Sequence, residues 1–79
     1  VFILDKTNLK ILRHLILNVT PTYRRLEISS DEFLERLNRL QAGGYLGFDI
    51  IPDGLFKGEP WKIWITEKGK HLVNTNKGS

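Results

Sequence analysis

Three groups of side chains in this 79-residue chain have the type and spacing for chemistry. Asp31, Glu32 and Glu35 are clustered carboxylates. Arg36, Asn38 and Arg39 follow at once, a guanidinium and amide set suited to base edges or phosphates. Tyr23-Arg24-Arg25 lies upstream, and Lys57 stands in a later glycine-containing stretch. Catalysis can be set aside. His14 and His71 are isolated, and no glycine-rich phosphate loop, nucleophile motif or metal-ligand spacing is present. No enzyme activity, cofactor, metal or small-molecule ligand is therefore expected. The carboxylates have a simpler role, because acidic residues at a helix start complement its dipole.

The cations admit two readings. If Asp31, Glu35, Asn38, Arg39 and Ala42 face double-stranded DNA, with Glu32 and Arg36 on the flank, then Arg36, Asn38 and Arg39 reach bases or phosphates. Tyr23, Arg24, Arg25 and Lys57 would add contacts that position the duplex without reading its sequence. Against this, Glu32 precedes Arg36 by four and Glu35 precedes Arg39 by four, the favourable order for ion pairs within a helix. Three carboxylates against two guanidiniums leave this helix at −1. A self-neutralised, solvated face is the competing expectation. For Tyr23-Arg24-Arg25 the corresponding bland reading is an ordinary polar helix face.

The element carrying the central set is Ser29 to Leu46. Ser29-Ser30-Asp31-Glu32 is a capping box, in which a hydroxyl and a carboxylate satisfy the first amides of a helix. Phe33, Leu34, Leu37 and Leu40 make one apolar stripe. Gly43-Gly44 stops the helix, since glycine enters the left-handed region cheaply. Before it, a helix capped by Asp5 or Thr7 is expected to run to about Asn18. Leu9, Leu12, Ile16 and Val19 share its inner face, widened by Ile11 and Leu15, with Lys6, Lys10, Arg13 and Leu17 opposite. Pro21 suits the first position of a short second helix reaching about Glu27, with Leu26 and Ile28 pointing inward.

After Tyr45 the period changes to two. Leu46, Phe48 and Ile50 alternate with Gly47, Asp49 and Ile51. Pro52-Asp53-Gly54 and Lys57-Gly58-Glu59-Pro60 mark a loop. Trp61, Ile63 and Ile65 then form the inner face of a returning strand, leaving Trp64 beside Lys62 as a contact residue. Leu55 and Phe56 occupy the loop where a phosphate-binding segment would carry Lys or Arg, and folding back onto the hairpin is expected of them. Thr66 to Val73 opens a short closing helix.

One domain spans residues 1–79, with a core over about 5–73 and a frayed tail over 74–79. Val1-Phe2-Ile3-Leu4 is an apolar arm expected to pair with another copy, as a homodimer, or to cover the hairpin edge. With Leu17, Phe56 and Trp64 it would offer a surface to a protein partner. Val1 stands where an initiator methionine would, so further residues at the front are anticipated. No cysteine occurs, which excludes disulfides and thiolate metal sites and leaves the redox compartment open. No run is long enough to cross a bilayer or serve as a signal peptide, so a cytoplasmic location is expected. A net charge of +3 is mildly basic, compatible with nucleic acid without requiring it.

The element order, an α+β arrangement of three core helices, a two-stranded β-hairpin and a short C-terminal helix, resembles the winged helix-turn-helix. Two stretches carry the likeness. Glu32 to Leu46, EFLERLNRLQAGGYL, is similar to the L-x-R-L-x-x-L-x-x-x-G-Y-L pattern of MarR-like and PadR-like transcription regulators. Ile65-Thr66-Glu67-Lys68-Gly69 looks like the L-T-x-x-G that leaves the wing in the same groups. The chain also looks like small prophage-associated winged-helix proteins with a curtailed second helix. Their I-x-x-x-x-x-F pattern is matched approximately by Ile28 and Phe33-Leu34. The resemblance spans about Asp5 to Val73 and implies DNA binding in transcription regulation, of phage type. It marks fold more sharply than function, because winged helices also serve as protein-docking modules.

Overall fold

The structure, a computed structural model, describes residues 5–75. Val1–Leu4, the expected arm, and most of the expected tail lie outside the described residues. The order is α1 (Lys6–Ile16), α2 (Tyr23–Leu26), α3 (Ser30–Ala42), β1 (Leu46–Ile50), β2 (Pro60–Ile65) and α4 (Glu67–Thr75). It is a small α+β domain of helices and one antiparallel hairpin, an order compatible with a winged-helix layout.

Polar side chains start the first three helices. The Asp5 carboxylate accepts from the Asn8 amide at 2.8 Å, the Thr22 hydroxyl from Arg25 at 3.1 Å, and the Ser29 hydroxyl from Glu32 at 3.1 Å. Each satisfies one amide that the helix itself cannot. Only half of the expected capping box forms. The Glu32 carboxylate turns away from Ser29 and accepts from Arg36 instead, at 2.9 Å, because a guanidinium is the stronger donor.

All three helices stop in the same way. A residue in the left-handed region, Asn18, Glu27 or Gly44, sends the next amide back to a carbonyl five residues earlier. These bonds are Val19 to His14 at 2.8 Å, Ile28 to Tyr23 at 3.0 Å, and Tyr45 to Leu40 at 3.0 Å. The paired bonds (Asn18 to Leu15, Glu27 to Arg24, Gly44 to Gln41) complete a Schellman motif at each end. The first of these ends α1 at Ile16, two residues short of the expected Asn18. Pro21 does not open α2. It is fully buried ahead of the Thr22 cap.

The core joins Ile11, Leu12 and Leu15 of α1, Phe33, Leu37 and Leu40 of α3, Leu46 and Phe48 of β1, and Val73 of α4. The inward face of α1 is therefore rotated from the expected stripe. Ile11 and Leu15 are central, and Ile16 is 39% exposed. In the hairpin Leu46 pairs with Ile65, Gly47 with Trp64, Phe48 with Ile63, and Asp49 with Lys62. An irregularity then pairs Ile50 with Pro60 and leaves Trp61 as the extra residue. That bulge overturns two expectations. Ile50 and Trp61, both assigned inward by alternation, are exposed, and the Trp61 ring lies under the Lys62 ammonium at 4.6 Å.

The closing helix is clamped to the end of α3. The Thr66 hydroxyl donates to the Gly44 carbonyl at 2.6 Å and accepts from the Gly69 amide at 3.1 Å. The Lys68 ammonium donates to the Gly43 carbonyl at 2.6 Å and sits 4.7 Å from the centre of the Tyr45 ring. A cation at the carbonyl end of a helix opposes its negative pole.

Candidate nucleic-acid interface

The seven candidate residues separate into distinct environments. Arg36 is a half-buried strut. Its Nη1 donates to the Asp5 carboxylate at 2.7 Å and to the Asn8 side-chain oxygen at 3.0 Å, and its Nε donates to Glu32 at 2.9 Å. Residues 31 positions apart are thus tied, fixing the start of α1 against the middle of α3. Its hydrogen bond to Asp5 raises the guanidinium pKa further, against a smaller opposing effect of burial. Burial pushes the Asp5 carboxyl up, but the Arg36 hydrogen bond, the Asn8 amide and the Arg36 charge outweigh it and leave Asp5 below its ordinary value. With Nε and Nη1 engaged inside the fold, Arg36 serves the junction first and keeps its Nη2 donors for any anion that reaches it.

Asn38 and Arg39 are exposed, as are Asp31, Glu35 and Ala42 on the same side of α3. This is the face expected from the helical spacing. Arg39 donates to Glu35 one turn earlier. That exposed pair is worth little, about 0.3–0.5 kcal/mol, so a stronger anion can displace Glu35.

Tyr23 packs against the core, and its ring lies 5.9 Å from the Arg24 guanidinium carbon. Arg24 and Arg25 are exposed, and neither forms an ion pair among the described residues. Lys57 is exposed in the hairpin loop, held by a turn in which its amide donates to the Gly54 carbonyl at 3.3 Å.

A groove of about 350 Å³ connects these regions. Its walls are Pro21, Thr22 and Tyr23 before and in α2, Ser30, Asp31, Phe33 and Leu34 of α3, and the hairpin loop from Phe56 to Glu59 with Pro60 at the start of β2. Tyr23 and Lys57 meet here, whereas Arg24, Arg25, Arg36, Asn38 and Arg39 do not line it. Glu59 and Pro60, which the sequence marks only as loop punctuation, also line the groove. No local pattern would place them opposite α2, because the loop length sets that approach.

Leu55 and Phe56 do not fold back as expected. Leu55 is 91% exposed, and Phe56 stands at the groove's mouth, still largely exposed. Trp64 is 48% exposed and lies across Gly47 of β1, where a Cβ would come within 2.5 Å of the indole. Among the described residues no group of three or more His, Asp or Glu could hold a metal ion, and no helix is long and apolar enough to cross a membrane. No family model, no curated protein and no solved structure matches the chain.

Proposed function

We propose that this chain is a winged-helix DNA-binding protein of the transcription-regulator kind, of phage or prophage type, holding a duplex chiefly through phosphate contacts. One observation carries the reading. Arg24 and Arg25 are exposed without a carboxylate partner among the described residues, at the short helix that precedes the open face of α3. Lys57 extends the positive surface from the hairpin loop. Arg36 is withdrawn into the fold and Arg39 is shared with Glu35, so α3 itself brings little net charge to a groove. Such a surface favours sequence-tolerant, salt-sensitive association, of order 10⁻⁴ to 10⁻⁶ M.

The test is a salt titration of binding to two unrelated duplexes, with and without the double substitution R24A/R25A. The variant should lose affinity equally for both duplexes, and its salt dependence should flatten by up to about two phosphate contacts. An unchanged affinity and slope would sink the proposal.

A second reading has its own support. Leu55 and Phe56 are presented at the loop tip, and an apolar surface there suits a protein partner. No shift of any duplex at low salt, with a stable complex formed through this loop, would make the chain a protein-interaction module.

A further inference from the structure

Among the described residues the outer edge of β2 is open, and its chemistry is self-complementary. The Thr66 amide donates to the Tyr45 carbonyl at 3.2 Å, so Tyr45 and Thr66 are a hydrogen-bonded pair. Antiparallel pairing alternates, which makes Gly47–Trp64 and Asp49–Lys62 the next such pairs in the observed register. The amides and carbonyls of Ile63 and Ile65 must then point the other way, off the free edge of β2. Among the described residues, no backbone bond from outside the hairpin reaches them. Beside this edge lies an open groove of about 520 Å³, lined by Ile16, Val19, Thr20, Trp64 and Lys70 among others. An apolar strand with an uncovered row of donors and acceptors is a template for another strand.

We propose that the occupant is β2 of a second copy, paired antiparallel about a two-fold axis at Ile63. Two features select a second copy. Ile63 has both backbone groups outward, so it can exchange two hydrogen bonds with its own equivalent, as an isologous interface requires. The same alignment puts Lys62 of each chain opposite Trp64 of the other, on the outer face. A cation then meets an aromatic face twice, and no like charges are opposed. The hairpins join into one four-stranded sheet, and the half-exposed indoles are covered. This interface stands independently of the DNA reading.

Sedimentation of the full chain over a concentration series, from micromolar to millimolar, tests it. The wild type should pass from monomer to dimer. W64K places two lysines opposite each other at both ends of the pairing and should weaken the dimer by roughly tenfold or more. The double substitution K62E/W64K places a carboxylate opposite each new ammonium and should restore association. Circular dichroism on each variant confirms that the fold is kept. Amide exchange in the wild type should slow at Ile63 and Ile65 as concentration rises. A wild type that stays monomeric at millimolar concentration overturns the proposal. So does a folded W64K that dimerises as the wild type does, or a folded double variant that gains nothing over W64K.

Discussion

Gly69 lies so close to Tyr45 that a Cβ built on it would overlap the Tyr45 carbonyl oxygen and crowd the Ile65 side chain at 2.8 Å. The first turn of α4 is pressed onto the backbone that leaves α3, and Thr66 bonds to both segments. The stretch that ends α3 and the stretch that opens α4 are therefore one structural joint. Their glycines and threonine answer to each other across the fold, which is a packing reason for the pattern and is silent on function.

Gly69→Ala should accordingly destabilise the domain by about 1–3 kcal/mol, the usual cost of overpacking against an atom that cannot move. The neighbour here is backbone held in a strand junction, so relaxation is limited. A urea denaturation midpoint unchanged from wild type would show that α4 can lift off without loss.

The register of the core can be tested by a pair of truncations. Leu37 is fully buried, and Leu37→Ala should cost about 2–5 kcal/mol. Ile16→Ala should cost less, because part of that side chain is already in water. Equal losses in thermal melts would restore the register in which Ile16 faces α3.

Most of this fold was legible in local patterns. The Ser29 cap, the Phe33–Leu37–Leu40 stripe and the Gly43-Gly44 stop act within a few residues, and each formed where expected. What was not legible depended on distance along the chain. Arg36 read as a surface cation because its neighbours are polar, yet Asp5 and Asn8 reach it from 31 and 28 residues away. Trp61 read as inward because alternation extends only until a bulge interrupts it. Of the candidate site, the exposed face of α3 followed from its period, but the meeting of Tyr23 and Lys57 across the groove needed the tertiary structure.

Glu27 offers a stabilising substitution. It holds φ near 60° at the end of α2, exposed to solvent, where a side chain strains the backbone and glycine does not. Glu27→Gly should raise stability by about 0.5–1 kcal/mol. Asn18→Gly, at the same position in α1, should change less, since asparagine tolerates this conformation. A lower melting temperature for Glu27→Gly would mean that its carboxylate has a contact outweighing the strain.

The Asp5–Arg36 junction gives a pH dependence of defined sign. A carboxyl held below its ordinary value in the folded state binds fewer protons there than in the unfolded chain. Its stabilisation is complete above the ordinary carboxyl range and is lost as pH falls through the folded value. Asp5→Asn keeps a capping side chain but removes the charge. The variant should be modestly less stable at neutral pH, and its melting curve should converge with wild type in acid. A gap that persists at the lowest pH would place the effect in packing or capping rather than in the charge.

The sharpest functional contrast is between two arginines three residues apart on α3. Arg39 is exposed and tied only to Glu35, so Arg39→Ala leaves the fold intact within about 0.5 kcal/mol. If α3 enters the major groove, Arg39 offers a base edge its guanidinium donors beside the Asn38 amide. Its removal should then erase preference among duplex sequences while leaving most of the non-specific affinity. Arg36 answers differently. Arg36→Ala strips Asp5, Asn8 and Glu32 of their shared donor and should lower stability, affecting DNA only as far as unfolding does. Binding and melting are measured on both variants. A folded Arg36→Ala protein that loses duplex binding, beside an Arg39→Ala protein that keeps full sequence preference, would reverse these roles. The duplex would then be held by the Arg36 Nη2 donors, beside the bonds that join α1 to α3.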